Sequence, residues 1–75
     1  MTYYIATTTN TELFNQPFLI KAVSKENAAE KVGKRLGLEM TGSSTHKLDG
    51  SIEYQFRDGH KGYLPIITIL VPEKL

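Results

Sequence analysis

Hydrophobic and polar positions change period several times along the chain, and each change predicts a different element. Residues 2–9, rich in Tyr, Ile and Thr, read as a strand. Residues 10–16 hold Asn, Thr and Glu ahead of Pro17 and read as a loop. Leu13 and Phe14 stand together in that loop, either tucked under the sheet edge or exposed as a contact point. Residues 18–23 alternate as a second strand. Phe18, Ile20 and Ala22 take one face, and Leu19, Lys21 and Val23 take the other.

The period then becomes helical. Ser24 is an N-cap, Glu26 places a negative charge in the first turn, and Ala28, Ala29, Val32 and Leu36 form a buried stripe. Asn27 stands where a full capping box carries Glu or Gln, so the box is incomplete. Gly33 borders the stripe and allows close approach to a sheet. Lys34 and Arg35 suit the negative helix end, and Gly37 terminates it. A helix over Lys25–Leu36 follows.

Residues 40–44 read as a Gly/Ser/Thr linker. Beyond it, Asp49-Gly50 and Asp58-Gly59 are hairpin signals, because glycine tolerates positive φ. They predict a meander of strands at 45–48, 51–57 and 62–71, ended by Pro72. The predicted fold class is α+β, with one antiparallel sheet of four to five strands and a single helix on one face, in the order β-β-α-β-β-β.

The middle meander strand alternates, with Ile52, Tyr54 and Phe56 opposite Glu53, Gln55 and Arg57. The last strand does not. Tyr63, Pro65, Ile67, Ile69 and Val71 form one apolar row, and Leu64, Ile66 and Leu70 form the other. A two- or four-residue loop at Asp58-Gly59 puts the first row under the helix, whereas a three- or five-residue loop exchanges the two. Either way one apolar row lacks a helix to cover it. Terminal residues, the 10–16 loop or strand curvature can shield that row. Left open, it forms an interface with another protein or a second copy.

Composition narrows the chemistry. Seventy-five residues make one domain with a modest core, and 40% hydrophobic with 23% charged residues is a globular balance. The chain has no cysteine, so disulfides and thiolate metal sites are excluded. No secretory signal and no membrane-spanning stretch is legible, and a cytoplasmic location is expected. A net charge of +1 provides no broad pull on nucleic acid or anionic lipid.

No catalytic residue, metal site or cofactor site is expected. His46 and His60 are the only histidines, and a zinc site would need both to converge with Asp49, Asp58 or Glu53. The two aspartates are already explained by their hairpins and Ser24 by its cap. Ser43 and Ser44 have no partner base in a recognisable motif, and no phosphate-binding loop occurs. For nucleic acid, Lys21, Lys31, Lys34 and Arg35 supply charge, but Glu26 and Glu30 share the helix. Tyr3 and Tyr4 point to opposite faces and cannot form one stacking platform. A solvated helix with Glu30–Lys34 support is the simpler reading.

The segment FLIKAVSKENAAEKVGKRLG, a strand turning through Ser into an Ala-rich helix, resembles the strand–helix unit of very small phage proteins. These include phage inhibitors of host RNA polymerase and some anti-CRISPR proteins. The same unit occurs in other small α+β domains, ribosomal proteins among them. The phage resemblance implies a non-enzymatic inhibitor that docks on a larger bacterial protein or nucleoprotein complex in the host cytoplasm and blocks it sterically. The expected contact residues are Lys31, Lys34, Leu13 and Phe14, then Lys21, Leu64, Ile66 and Leu70. A nucleic-acid-binding or ribosome-associated domain is the alternative, and a homodimeric structural protein the third reading.

Overall fold

A computed structural model of the chain describes residues 2–10, 13–59, 62 and 64–71. His60, Tyr63 and Pro72 lie outside the described residues. The elements are β1 (Thr2–Thr7), β2 (Phe18–Ala22), α1 (Lys25–Leu36), β3 (Glu39–His46), β4 (Ile52–Arg57) and β5 (Ile66–Leu70). The strands form one antiparallel sheet in the order β2-β1-β5-β4-β3. The predicted fold class is therefore observed, with five strands. Helix α1 links the two edge strands across one face, and the last strand returns to pair with the first.

The helix has the expected bounds, and its caps explain why. The Ser24 side chain accepts a hydrogen bond from the Asn27 N–H at 3.1 Å. Asn27 in turn accepts from the Val23 N–H through its Oδ1 at 3.2 Å. The capping box missing a Glu or Gln is thus replaced by a reach-back to the residue before the cap, which also ends β2 at Ala22. At the other end, Gly37 adopts φ 73° while Leu38 N–H donates to the Gly33 carbonyl at 2.8 Å. That closure satisfies a carbonyl that a helix end otherwise leaves unpaired.

Residues 40–44 are not a linker. They belong to β3, which runs through eight residues to His46 with an irregular register between Met40 and Ser44. Thr41 Oγ1 donates to the Gln55 carbonyl at 3.3 Å, holding this irregular stretch to β4. An edge strand with both faces largely exposed needs no apolar alternation, so its composition looks like a loop. Leu48, expected at the end of this strand, instead lies in the turn between β3 and β4. There Lys47 N–H donates to the Ser51 carbonyl at 2.9 Å and Gly50, at φ 88°, donates to the Lys47 carbonyl at 3.1 Å.

Two other strands are shorter than their composition predicts. At the end of β1, Thr8 Oγ1 donates to the Ile66 carbonyl at 2.7 Å and accepts from Asn10 N–H at 3.1 Å. The side chain thereby takes over from the ladder. Before β5, Pro65 has no N–H to donate, although its carbonyl still accepts from Phe56 N–H at 2.9 Å. In the β4–β5 turn Gly62, not Gly59, takes positive φ, and its N–H donates to the Asp58 carbonyl at 3.0 Å.

Pairing of Ile52 with Ile69, Tyr54 with Ile67 and Gln55 with Ile66 settles the register. It is the odd-to-even alternative that puts Pro65, Ile67 and Ile69 under the helix. The core is Phe56, Ile67, Ile69 and Val32, with Tyr4, Ala6, Ala22, Ala28, Ala29, Leu38 and Tyr54 around them. No helix among the described residues is long and apolar enough to cross a membrane.

Candidate functional site

Strand alternation gives the sheet a second face, and cross-strand pairing decides what meets there. Ile5 of β1 lies between Leu19 of β2 and Leu70 of β5, while Tyr3 pairs with Lys21. Paired side chains in antiparallel strands share a face. Leu19, Ile5, Leu70 and Tyr3 therefore form one apolar cluster across three strands, on the side away from α1. Tyr3 is 53% and Leu19 59% exposed, and Ile5 and Leu70 are half-buried. Lys21 stands at the margin with its ammonium 5.7 Å from the Tyr3 ring centroid, a cation–π arrangement.

The same face turns polar toward the other edge. Thr7 pairs with Thr68, Thr68 with Glu53, and Glu53 with Thr45. Lys47 and Glu53 form an ion pair at 3.5 Å, partly exposed and so of small energetic weight. Ile66, 38% exposed, stands opposite Gln55 at the transition, and exposed Leu64 continues beyond the strand end. The result is a face divided into an apolar half over β2, β1 and β5 and a polar half over β4 and β3.

The structure separates the expected contact residues into three places. Lys21, Leu64, Ile66 and Leu70 belong to the open face or its border. Lys31 sits at the β2 edge, where its ammonium donates to the Lys21 carbonyl at 2.8 Å, and it covers an acceptor on an edge strand. Lys34 is exposed beside a groove between α1 and β3. Leu13 and Phe14 are half-buried against the core, with the Phe14 and Phe18 rings edge-to-face at 4.9 Å. Arg35 lies over Phe18 at 5.8 Å. The 10–16 loop therefore packs on the Phe18 side and leaves the Leu19 row open.

The anticipated Glu30–Lys34 pair is absent. Among the described residues the ion pairs are Lys47–Glu53 and Arg57–Glu39, the latter at 3.9 Å between exposed groups. No group of three or more His, Asp or Glu residues that could hold a metal occurs among the described residues. Asp49 is held below its ordinary carboxylate value by hydrogen bonds from the Ser51 hydroxyl and N–H, so its perturbation belongs to the turn.

Sequence reasoning found the open row of β5 but missed Tyr3, Ile5 and Leu19. Their alternation was legible. The neighbour relation of β1 and β5, which joins them to Leu70, was not. No family model, curated protein or solved structure matches this chain.

Proposed function

We propose that this protein is a non-enzymatic protein-binding module that docks on a larger partner through the open face of its sheet. The supporting observation is the contiguity of Tyr3, Ile5, Leu19 and Leu70 across three strands with no element of the described fold over them. Scattered apolar side chains are ordinary on a protein surface, whereas a contiguous cluster bordered by polar residues is the usual form of an interaction site. Burying it yields about 25 cal/mol per Å² of apolar area, and aromatic and basic residues such as Tyr3 and Lys21 commonly dominate such interfaces.

In its finer form the proposal is a phage-type steric inhibitor of a bacterial nucleic-acid-processing complex, acting in the host cytoplasm. This form rests on the resemblance of the strand–helix segment from Phe18 to Gly37. A nucleic-acid interface is less well supported, since Lys21, Lys31 and Lys34 occupy the open face, an edge and a groove rather than one stripe.

The test is affinity capture from bacterial lysate with the tagged protein, with and without nuclease, read by mass spectrometry and repeated with Leu19→Glu. A stoichiometric partner that survives nuclease and is lost with Leu19→Glu supports the proposal. Recovery that depends on nucleic acid contradicts it, as does a partner retained undiminished by the variant.

A further inference from the structure

On the helix side of the sheet, the first turn of α1 does not close down on β3 and β4. It leaves a cleft of about 500 Å³ whose lining includes Tyr4, Tyr54, Ser24, Glu26, Ser44 and His46. Tyr4 is 9% and Tyr54 6% exposed, yet neither phenol has a hydrogen-bond partner among the described residues. Two buried rings thus present unsatisfied hydroxyls at the cleft wall, which is unusual because buried tyrosines normally find a partner for that group. Glu26 carries no ion pair among the described residues either. Its carboxylate lies close enough to Tyr54 to help hold that phenol protonated, after burial itself.

The remaining groups decide the sign of the ligand. The Lys25 ammonium donates to the Gly50 carbonyl in the β3–β4 turn. The Asn27 and Ala28 N–H groups of the first turn are taken by the Ser24 side chain and carbonyl. An anion entering here would therefore meet an unpaired carboxylate and few free donors. A cation with several N–H groups would meet one negative charge and two phenol oxygens able to accept. An adjoining groove of about 450 Å³ between α1 and β3 shares Glu26 and includes Leu38 and Met40, an apolar track for an aliphatic stem.

We infer that this cleft binds an ammonium or guanidinium group on a short aliphatic stem, with Glu26 neutralising the charge and the Tyr4 and Tyr54 hydroxyls accepting hydrogen bonds. The site lies on the opposite side of the sheet from Tyr3 and Leu19, so it is independent of the open face.

The experiment is an NMR titration of the isotope-labelled full chain. The probes are N-acetyl-lysinamide, N-acetyl-argininamide, spermidine, neutral N-acetyl-citrullinamide and inorganic phosphate. The cationic probes should give saturable shifts at Tyr4, Glu26 and Tyr54. Glu26→Gln should weaken them about tenfold and Tyr54→Phe about threefold, with the rest of the spectrum unchanged. Tighter binding of the amino-acid amides points to a basic side chain of a protein, and tighter binding of spermidine to a free polyamine. Equal response to the citrulline compound, tighter binding of phosphate, undiminished affinity in Glu26→Gln, or no saturable shift would overturn the assignment.

Discussion

Gly33 of α1 lies against the ring of Phe56 so closely that a Cβ on the glycine would stand 2.5 Å from Phe56 Cε2. The contact sets the distance between helix and sheet, because Phe56 is fully buried at the centre of the core. Substituting alanine ordinarily favours a helix by about 1 kcal/mol, whereas overpacking costs about 1–3 kcal/mol. Gly33→Ala should therefore destabilise the protein, with a fall in Tm of several degrees by calorimetry. Adding Phe56→Leu should recover part of that loss, a coupling that a double-mutant cycle measures. A rise in Tm from Gly33→Ala would show that the ring is free to move aside.

Asp49 ties the β3–β4 turn through Ser51, whose N–H and hydroxyl donate to its carboxylate at 2.9 and 2.6 Å. Its folded pKa lies below the ordinary 3.8. The associated stability is present above that value and is lost as pH falls through the lower folded pKa. The Ser51 amide resonance should follow this acid titration, and Asp49→Ala should abolish it. A midpoint at or above 3.8 would contradict the hydrogen-bonded turn.

How far the fold was legible depends on where each element gets its stability. The helix was legible because Ser24, Gly37 and the Ala28–Val32 stripe are local signals that the structure uses directly. β3 was not, because Thr41, Gly42 and Ser43 have little strand preference of their own and are held by pairing to β4. The alternation of β4 and the hairpin at Asp49-Gly50 were local and survived. The order β2-β1-β5 is a long-range relation, and it alone brings Leu19 and Ile5 beside Leu70. Half of the open-face cluster was therefore visible as the uncovered β5 row, and half required the sheet. The same holds for the cleft, since Tyr4 and Tyr54 are far apart in sequence and share a face only through β5.

Tyr54 offers a second pH test. Burial, then Glu26 and Tyr4, raise its phenol above the ordinary 10.0. Its contribution to stability is fully present below 10.0 and is lost as pH rises through the raised folded value. Tyr54→Phe should remove this alkaline loss. Glu26→Gln should reduce the shift only in part, since burial is the larger cause, and tyrosinate absorbance would report both. A Tyr54 that titrates with the exposed Tyr3 would contradict the buried environment.

Removing apolar surface from the open face should leave the fold intact. Leu19→Ser changes a side chain already 59% exposed, and surface substitutions of this kind usually stay within about 0.5 kcal/mol. Ile67→Ala, on the helix side, should cost about 2–5 kcal/mol. Denaturant unfolding of the two variants compares the faces directly. Similar losses would mean that the open face is structurally covered.

The most direct test of the central claim is the affinity of a captured partner for two sets of charge variants. One set carries Leu19→Glu and Ile66→Glu on the open face, and the other carries Lys31→Glu and Lys34→Glu on the helix side. The account predicts at least about tenfold weaker binding for the first set and little change for the second, with both sets folded. Binding lost with the helix variants and kept with the open-face variants would contradict it.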